Sequence, residues 1–228
     1  MKKIIIIFLL LSVYGSCWGG AALVGEECLS SGNDYVFFWD AETTTANKAS
    51  GTIGSTTNGT VELSTTQAYA GSKSMSTSTG QSYYKFTDST IFSRTSGTIT
   101  FYVYGDQTEI GIAYTIYIYG DSNNFYAILA SATDTIKFYL KLNGSAKYIV
   151  ADNGSLNDSA WNKVELIYDG SSGTQTDFTL TVNNGTPLET DLSYVWDTDT
   201  TVDYVAIGAY SSTAPIGTLY IDNVEFSE

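Results

Sequence analysis

The feature that most limits what this chain can fold into is its side-chain alternation. From Asp34 onward, short runs that alternate between apolar residues and polar or aromatic ones follow one another, divided by clusters of Gly, Asn, Asp and Ser. A period of two puts successive side chains on opposite faces of a pleated strand, and no long segment of helical period interrupts the pattern. The clearest runs are YVFFWD from Tyr35, SYYKF from Ser82, TITFYVY from Thr98, GIAYTIYIYG from Gly111 and NFYAILA from Asn124. TIKFYLKLN from Thr135, WNKVELIYD from Trp161, DFTLTVNN from Asp177, TVDYVAIG from Thr201 and GTLYIDNVEF from Gly217 continue the series. Branched and aromatic side chains dominate them because such shapes fit a pleated, half-buried surface.

Turn chemistry agrees. Gly120-Asp121, Asn143-Gly144, Asp169-Gly170 and Asn184-Gly185 tolerate the positive φ that antiparallel reversals require, and both prolines, Pro187 and Pro215, fall outside the runs. No charged or Pro-rich linker and no fixed-period repeat divides residues 34–228, which read as one all-β domain. About a dozen short strands in a domain of this size predict two packed antiparallel sheets.

Residues 1–21 have a different logic. Met1, Lys2 and Lys3 precede the apolar run Ile4 to Leu11, and small residues follow around Gly15, Ser16 and Gly19 to Ala22. The run is far shorter than the roughly 20 residues a bilayer demands, so it reads as a bacterial-style signal peptide with cleavage after Gly15 or near Ala21. Lipid attachment at Cys17 lacks the usual preceding leucine. The expected product is secreted or extracellular, with a leader segment over 22–33 and no membrane insertion after signal removal. The only cysteines, Cys17 and Cys28, give no disulfide framework; they either close a short N-terminal loop or leave Cys28 as a lone thiol.

Charge narrows the partners. Ten Lys and Arg stand against 24 Asp and Glu, a formal charge of −14 that becomes more negative once Lys2 and Lys3 are removed. Such a surface repels phosphate backbones and anionic headgroups, which argues against nucleic acid and acidic membranes and leaves neutral glycans and divalent cations open. No histidine is present, which removes Ser-His, Cys-His and imidazole-base mechanisms. Alternating acid triplets of the kind glycosidases present on a strand are also missing: Glu189 and Asp191 alternate, but position 193 is Ser.

Three ordered segments carry a family resemblance. They are FFWDAE (Phe37 to Glu42) with AYAGSKSMS (Ala68 to Ser76), AWNKVELIYDG (Ala160 to Gly170) leading to FTLTVNNG (Phe178 to Gly185), and VAIGAY (Val205 to Tyr210) leading to GTLYIDNVEF. Together they resemble the concanavalin A-like and laminin G-like jelly rolls and the related carbohydrate-binding modules. The resemblance implies a two-sheet antiparallel jelly-roll sandwich and a non-catalytic, lectin-like role with a glycan or polysaccharide partner. It also implies a structural Ca²⁺ held by Asp40, Glu42, Ser72, Lys73 and Asp222, oxygen ligands of the kind calcium takes. The bland alternative is that Asp40 or Glu42 pairs with Lys73 or faces water. Strict alternation in the last strand groups Tyr220, Asp222, Val224 and Phe226 on one face, so Asp222 is expected among apolar neighbours.

Tyrosine numbers 18 residues and falls at alternating positions: Tyr102 and Tyr104, Tyr117 and Tyr119, then Tyr126 and Tyr139. Opposite them stand Phe101 and Val103, Ile116 and Ile118, Phe125 and Ala127, Phe138 and Leu140, which read as core. The tyrosines then line the other face, a platform for sugar rings or simply cross-strand packing. Trp161 reads as core. Trp196, with Tyr194 before it and Asp197 and Asp199 after it, lies in a polar connection and reads as an exposed stacking residue. An adhesive surface protein with possible self-association is the second reading of the chain, and a polysaccharide-degrading glycosidase or lyase the third.

Overall fold

The computed structural model describes residues 35–228 other than 50, 79, 105–112, 132–134, 151–155, 158 and 211–217. The expected signal peptide, the leader segment, Cys17 and Cys28 lie outside the described residues. Seventeen strands appear among those described. In chain order they are β1 (Tyr35–Trp39), β2 (Thr45–Lys48), β3 (Gly51–Gly54), β4 (Thr56–Asn58), β5 (Glu62–Ser64), β6 (Ser74–Thr77), β7 (Ser82–Phe86), β8 (Ser96–Tyr104) and β9 (Ala113–Asp121). There follow β10 (Asn124–Ser131), β11 (Thr135–Leu142), β12 (Ser145–Val150), β13 (Trp161–Asp169), β14 (Thr176–Val182), β15 (Leu188–Leu192), β16 (Tyr204–Ala209) and β17 (Leu219–Ser227).

These strands form two antiparallel sheets. Sheet one runs β15-β14-β13-β8-β17-β1-β2-β3, with the β5–β6 pair joined to β17 through β6; sheet two runs β12-β11-β10-β9-β16-β7-β4. The sheets pack face to face over one core in which Phe37, Trp39, Phe101, Ile118, Phe138 and Phe226 are closed to solvent. Each such side chain contributes about 1.5–3 kcal/mol by leaving water. The β11–β12 hairpin turns on Asn143 and Gly144, both at positive φ (45° and 81°), as the right-handed twist of the strands demands.

The first and last strands lie side by side, Phe37 opposite Phe226 and Trp39 opposite Val224. Strict alternation fails within β17, however. A register shift lies between Asp222 and Glu225 where β17 pairs with β8, and Asn223 sits at φ 46°. The extra residue turns both Leu219 and Ile221 before it and Val224 and Phe226 after it into the core, leaving Tyr220 on the outer face. Asp222 stays on the outer side, opposite Tyr102, and is buried beneath the Tyr69–Ala70 segment whose amides it accepts, not by sharing a face with Val224 and Phe226.

Candidate functional site

The outer face of sheet two carries two cross-strand rows of side chains. Antiparallel register aligns Lys85 of β7, Ala206 of β16, Tyr117 of β9, Ala127 of β10 and Tyr139 of β11 in one row. The adjacent row is Tyr204, Tyr119, Phe125 and Lys141 from β16, β9, β10 and β11. Tyr83 and Tyr210 extend the patch on the β7 side, where Tyr210 stacks on Tyr117 with centroids 4.2 Å apart and Tyr83 lies 4.8 Å from Tyr210. Tyr119 stacks on Tyr204 at 5.1 Å, and Phe125 meets Tyr139 edge-on at 5.2 Å. Such contacts contribute roughly 0.5–1.5 kcal/mol each beyond area burial and hold the rings in place before any ligand arrives.

The two alanines shape this face. Ala127 and Ala206 are fully covered and Tyr117 between them is buried, while Tyr83, Tyr119, Phe125, Tyr139, Tyr204 and Tyr210 around them stay partly exposed. From β7 to β11 the platform spans about 19 Å at the usual spacing between strands. The Tyr204 and Tyr210 hydroxyls share a hydrogen bond of 2.6 Å. Burial, then that bond and the neighbouring phenols, push the Tyr204 hydroxyl well above the usual phenol range, and burial raises Tyr83. These hydroxyls are therefore uncharged at neutral pH and can donate and accept. Lys85 Nζ sits 4.1 Å from the Tyr204 ring centroid, a cation–π contact.

The predicted tyrosines do not form one platform. Tyr102 and Tyr104 belong to sheet one and face outward on the opposite side of the sandwich, where Tyr102 stacks on the exposed Tyr69 at 3.5 Å and Tyr104 approaches Trp161 at 5.5 Å and Tyr220 at 6.0 Å. Trp161 is thus a half-buried outer-face residue rather than core. Tyr126 is only 1% exposed and packs among Phe92, Phe138, Phe178 and Trp196; in β10 it is Phe125 and Ala127 that face outward. The cross-strand partners decide this: Phe125 opposes Tyr119 and Ala127 opposes Tyr117, both outward residues. Trp196 is likewise buried, at 4% exposure, with Nε1 donating to Thr200 O at 2.9 Å, so it is no exposed stacking residue. Tyr194 is exposed, and its carbonyl accepts from Thr176 Oγ1 at the β14–β15 end of sheet one, away from the platform. Sequence reasoning passed over Tyr83, Lys85, Phe125, Tyr204 and Tyr210. Alternation within SYYKF and YVAIGAY carries the signal for four of them.

The expected calcium ligands occupy the junction beside β1 and β17, where residues 69–73 bridge two carboxylates. Asp222 is fully buried; its Oδ2 accepts the amides of Tyr69 (2.8 Å) and Ala70 (3.2 Å), and its Oδ1 that of Asn223 (2.8 Å). Burial lifts its pKa to about 7 against the pull of those amides, and the Asp40 charge adds to the rise. Glu42 grips the other end of the segment. Its Oε1 accepts the amides of Ser72 and Lys73, its Oε2 accepts the Ser72 hydroxyl at 2.7 Å, and Lys73 Nζ lies 3.3 Å from its carbonyl oxygen. Burial raises the Glu42 pKa, but these donors outweigh it and hold it below the usual value. Gly71, at φ 66°, makes the approach possible, since a Cβ there would run into the Glu42 carboxylate. Amide N–H groups, not carbonyl oxygens, thus face both carboxylates, and Asp40 Oδ1 accepts the Glu42 amide at 3.1 Å. Among the described residues no three acidic, histidine or cysteine side chains gather at metal-binding distance. In this arrangement the donor set does not fit an oxygen cage.

A cleft of about 170 Å³ between Arg94 and Trp196 is below the roughly 300 Å³ at which ligand pockets begin. No protein-family model and no curated protein sequence matches the chain. Solved structures do. The receptor-binding domain of botulinum neurotoxin D is similar over 86% of this chain at 13% identity and a TM-score of 0.60, and that of the C/D mosaic serotype at 11% identity and 0.60. This chain spans about half the length of those domains, 49% and 48%. Domain 4 of AbnA, a GH43 extracellular arabinanase from Geobacillus stearothermophilus solved in complex with arabinotriose, is similar over 86% of this chain and 92% of its own length, at 12% identity and a TM-score of 0.56. At these identities the likeness establishes the fold, an all-β sandwich of two antiparallel sheets.

Proposed function

We propose that this protein is a secreted carbohydrate-binding module that receives a polysaccharide across the outer face of sheet two. The single observation that carries the reading is the pair of register-aligned aromatic rows over Ala127 and Ala206. Flat rings accept the C–H face of a pyranose, while their uncharged hydroxyls exchange hydrogen bonds with sugar hydroxyls. The arabinotriose-bound sandwich domain among the similar structures supports the same use of the fold.

The reading is one of binding without cleavage, and the carboxylates on the strands bear on it. Glycoside hydrolysis needs two of them flanking the scissile bond. The strands of sheet two bring one, Asp121, whose oxygens already accept from the Asn123 amide, Asn124 and Thr200. Calcium has a smaller place in the proposal. A cation shared by Asp40 and Asp222 would have to displace the amides that now fill the Asp222 carboxylate, and it is no part of the proposed glycan site.

Affinity electrophoresis through gels containing individual polysaccharides tests the reading. The wild type is retarded by at least one of them, Tyr119→Ala with Tyr204→Ala abolishes the retardation, and Tyr69→Ala with Tyr102→Ala on the opposite face leaves it unchanged. Retardation that survives the first pair and disappears with the second would move the site to sheet one.

A further inference from the structure

We infer that the sheet-two platform selects acidic polysaccharide, one whose sugar rings carry carboxylates. The inference rests on the platform being a glycan site and adds the class of glycan. The chain's net charge of −14 argues for the opposite, a neutral ligand, as long as charge is treated as uniform. It is not uniform. The seven strands of sheet two carry Lys85, Lys137, Lys141 and Lys147 against one carboxylate, Asp121. The ten strands of sheet one carry two lysines against eight carboxylates.

Three of the sheet-two lysines bracket the rings. Lys85 closes one row at β7, Lys141 closes the other at β11, and Lys137 precedes Tyr139 by two residues on the same outward side of β11. Ion pairs among the described residues join Lys48 to Asp88 and Lys163 to Glu165, so no described carboxylate pairs with these three. Lys85 lies over the Tyr204 ring, and Lys141 Nζ donates to the Ser122 carbonyl at 2.7 Å, contacts that place the ammonium groups without cancelling their charge.

Distance decides whether the acidic sheet matters. Stacked sheets stand about 10 Å apart, and outward side chains of one are further still from the outer face of the other, against a screening length of about 8 Å at physiological salt. The carboxylates of sheet one are therefore largely invisible from the platform. Among the described residues, those that count lie at its rim: Asp121, kept ionised by the Asn123 amide, and the exposed Asp203 next to Tyr204. Lys141 sits beside Asp121 through its bond to Ser122 and offsets that end. Among the described side chains, Lys85 and Lys137 then set the field over the central rows.

The test titrates the full chain with polygalacturonate, alginate and hyaluronan, each beside its methyl ester, in the presence of EDTA so that no divalent cation bridges protein and polymer. The esters keep the sugar rings and lose the charge. At least one acid form binds about tenfold tighter than its ester, the size that three exposed ion pairs supply together. That preference shrinks between about 0.1 M and about 1 M salt, as the screening length drops from about 10 to about 3 Å. The triple variant Lys85→Gln, Lys137→Gln, Lys141→Gln loses the preference; Lys137→Gln alone, a half-exposed site, guards against a folding defect in the triple. Equal binding of acid and ester, lost in Tyr119→Ala, would overturn the charge selection and leave the platform standing. Binding confined to neutral polysaccharides would do the same, and absence of binding to any polysaccharide would overturn both.

Discussion

Tyr126→Phe should stabilise the protein. Its ring is closed to solvent, and its hydroxyl is a buried polar atom without a hydrogen-bond partner, while burial drives its pKa up. A buried hydroxyl left unpaired costs about 1–3 kcal/mol. Deleting the oxygen opens a void of only about 10 Å³, worth roughly 0.2 kcal/mol at the usual cavity cost. The balance favours the variant by about 1–2 kcal/mol, which in a domain of this size raises Tm by about 2–8 °C. Tyr168 provides the control: it is equally buried, but its hydroxyl donates to Ser93 O at 2.7 Å. Tyr168→Phe strands that carbonyl and costs about 1 kcal/mol. Calorimetric melts of the two variants beside the wild type should therefore move in opposite directions, with the glycan affinity of Tyr126→Phe unchanged. Loss of stability in Tyr126→Phe, or loss of binding, would show that Tyr126 does not stand in a dry core behind the platform.

Other predictions concern the junction beside β17. Asp222 binds its proton more tightly folded, at about 7, than at the usual carboxylate value of 3.8, so its contribution to stability is fully present below about pH 4 and is lost as pH rises through 7. The gap corresponds to at most about 4 kcal/mol, and urea titrations of Asp222→Asn should lose this fall between pH 4 and 7. Gly71→Ala imposes both a left-handed strain of about 1–2 kcal/mol and a clash with Glu42, so its midpoint in urea should fall further than that of Gly173→Ala, where φ is 74° but nothing lies within 4 Å. Thermal melts with EDTA and with added calcium should coincide, because amides already fill the Glu42 and Asp222 carboxylates; a rise with calcium would show that the ion displaces them.

Alternation carried most of the fold. Phe101 and Val103, Ile116 and Ile118, and Phe138 and Leu140 are inward as their period requires, and the turn at Asn143-Gly144 is where its chemistry puts it. It could not say which sheet a strand joins. Runs β8 and β9 are consecutive in sequence yet sit in different sheets, so Tyr102 and Tyr104 face one side of the sandwich while Tyr117 and Tyr119 face the other. In NFYAILA two aromatics are adjacent, and polarity alone ranks Tyr126 outside Phe125; the strand partners reverse that order. Trp196 follows the same lesson, since a polar connection can still tuck its one large ring under the sheet's end. The bulge at Asp222 leaves its mark only as an Asn in the left-handed region, a preference too weak to stand out in a chain so rich in Asn and Gly. The charge segregation was hidden for the same reason as the tyrosine faces. It appears only once strands are sorted into sheets.

The central claim is that ligand covers sheet two and not sheet one, and light-induced tyrosine polarisation by NMR reads it directly, since the dye reaches only exposed phenols. With the tightest-binding polysaccharide of the panel at saturation, the signals of Tyr119, Tyr204 and Tyr83 should vanish while those of Tyr69 and Tyr194 persist. Loss of the Tyr69 signal with Tyr119 and Tyr204 unaltered would contradict it.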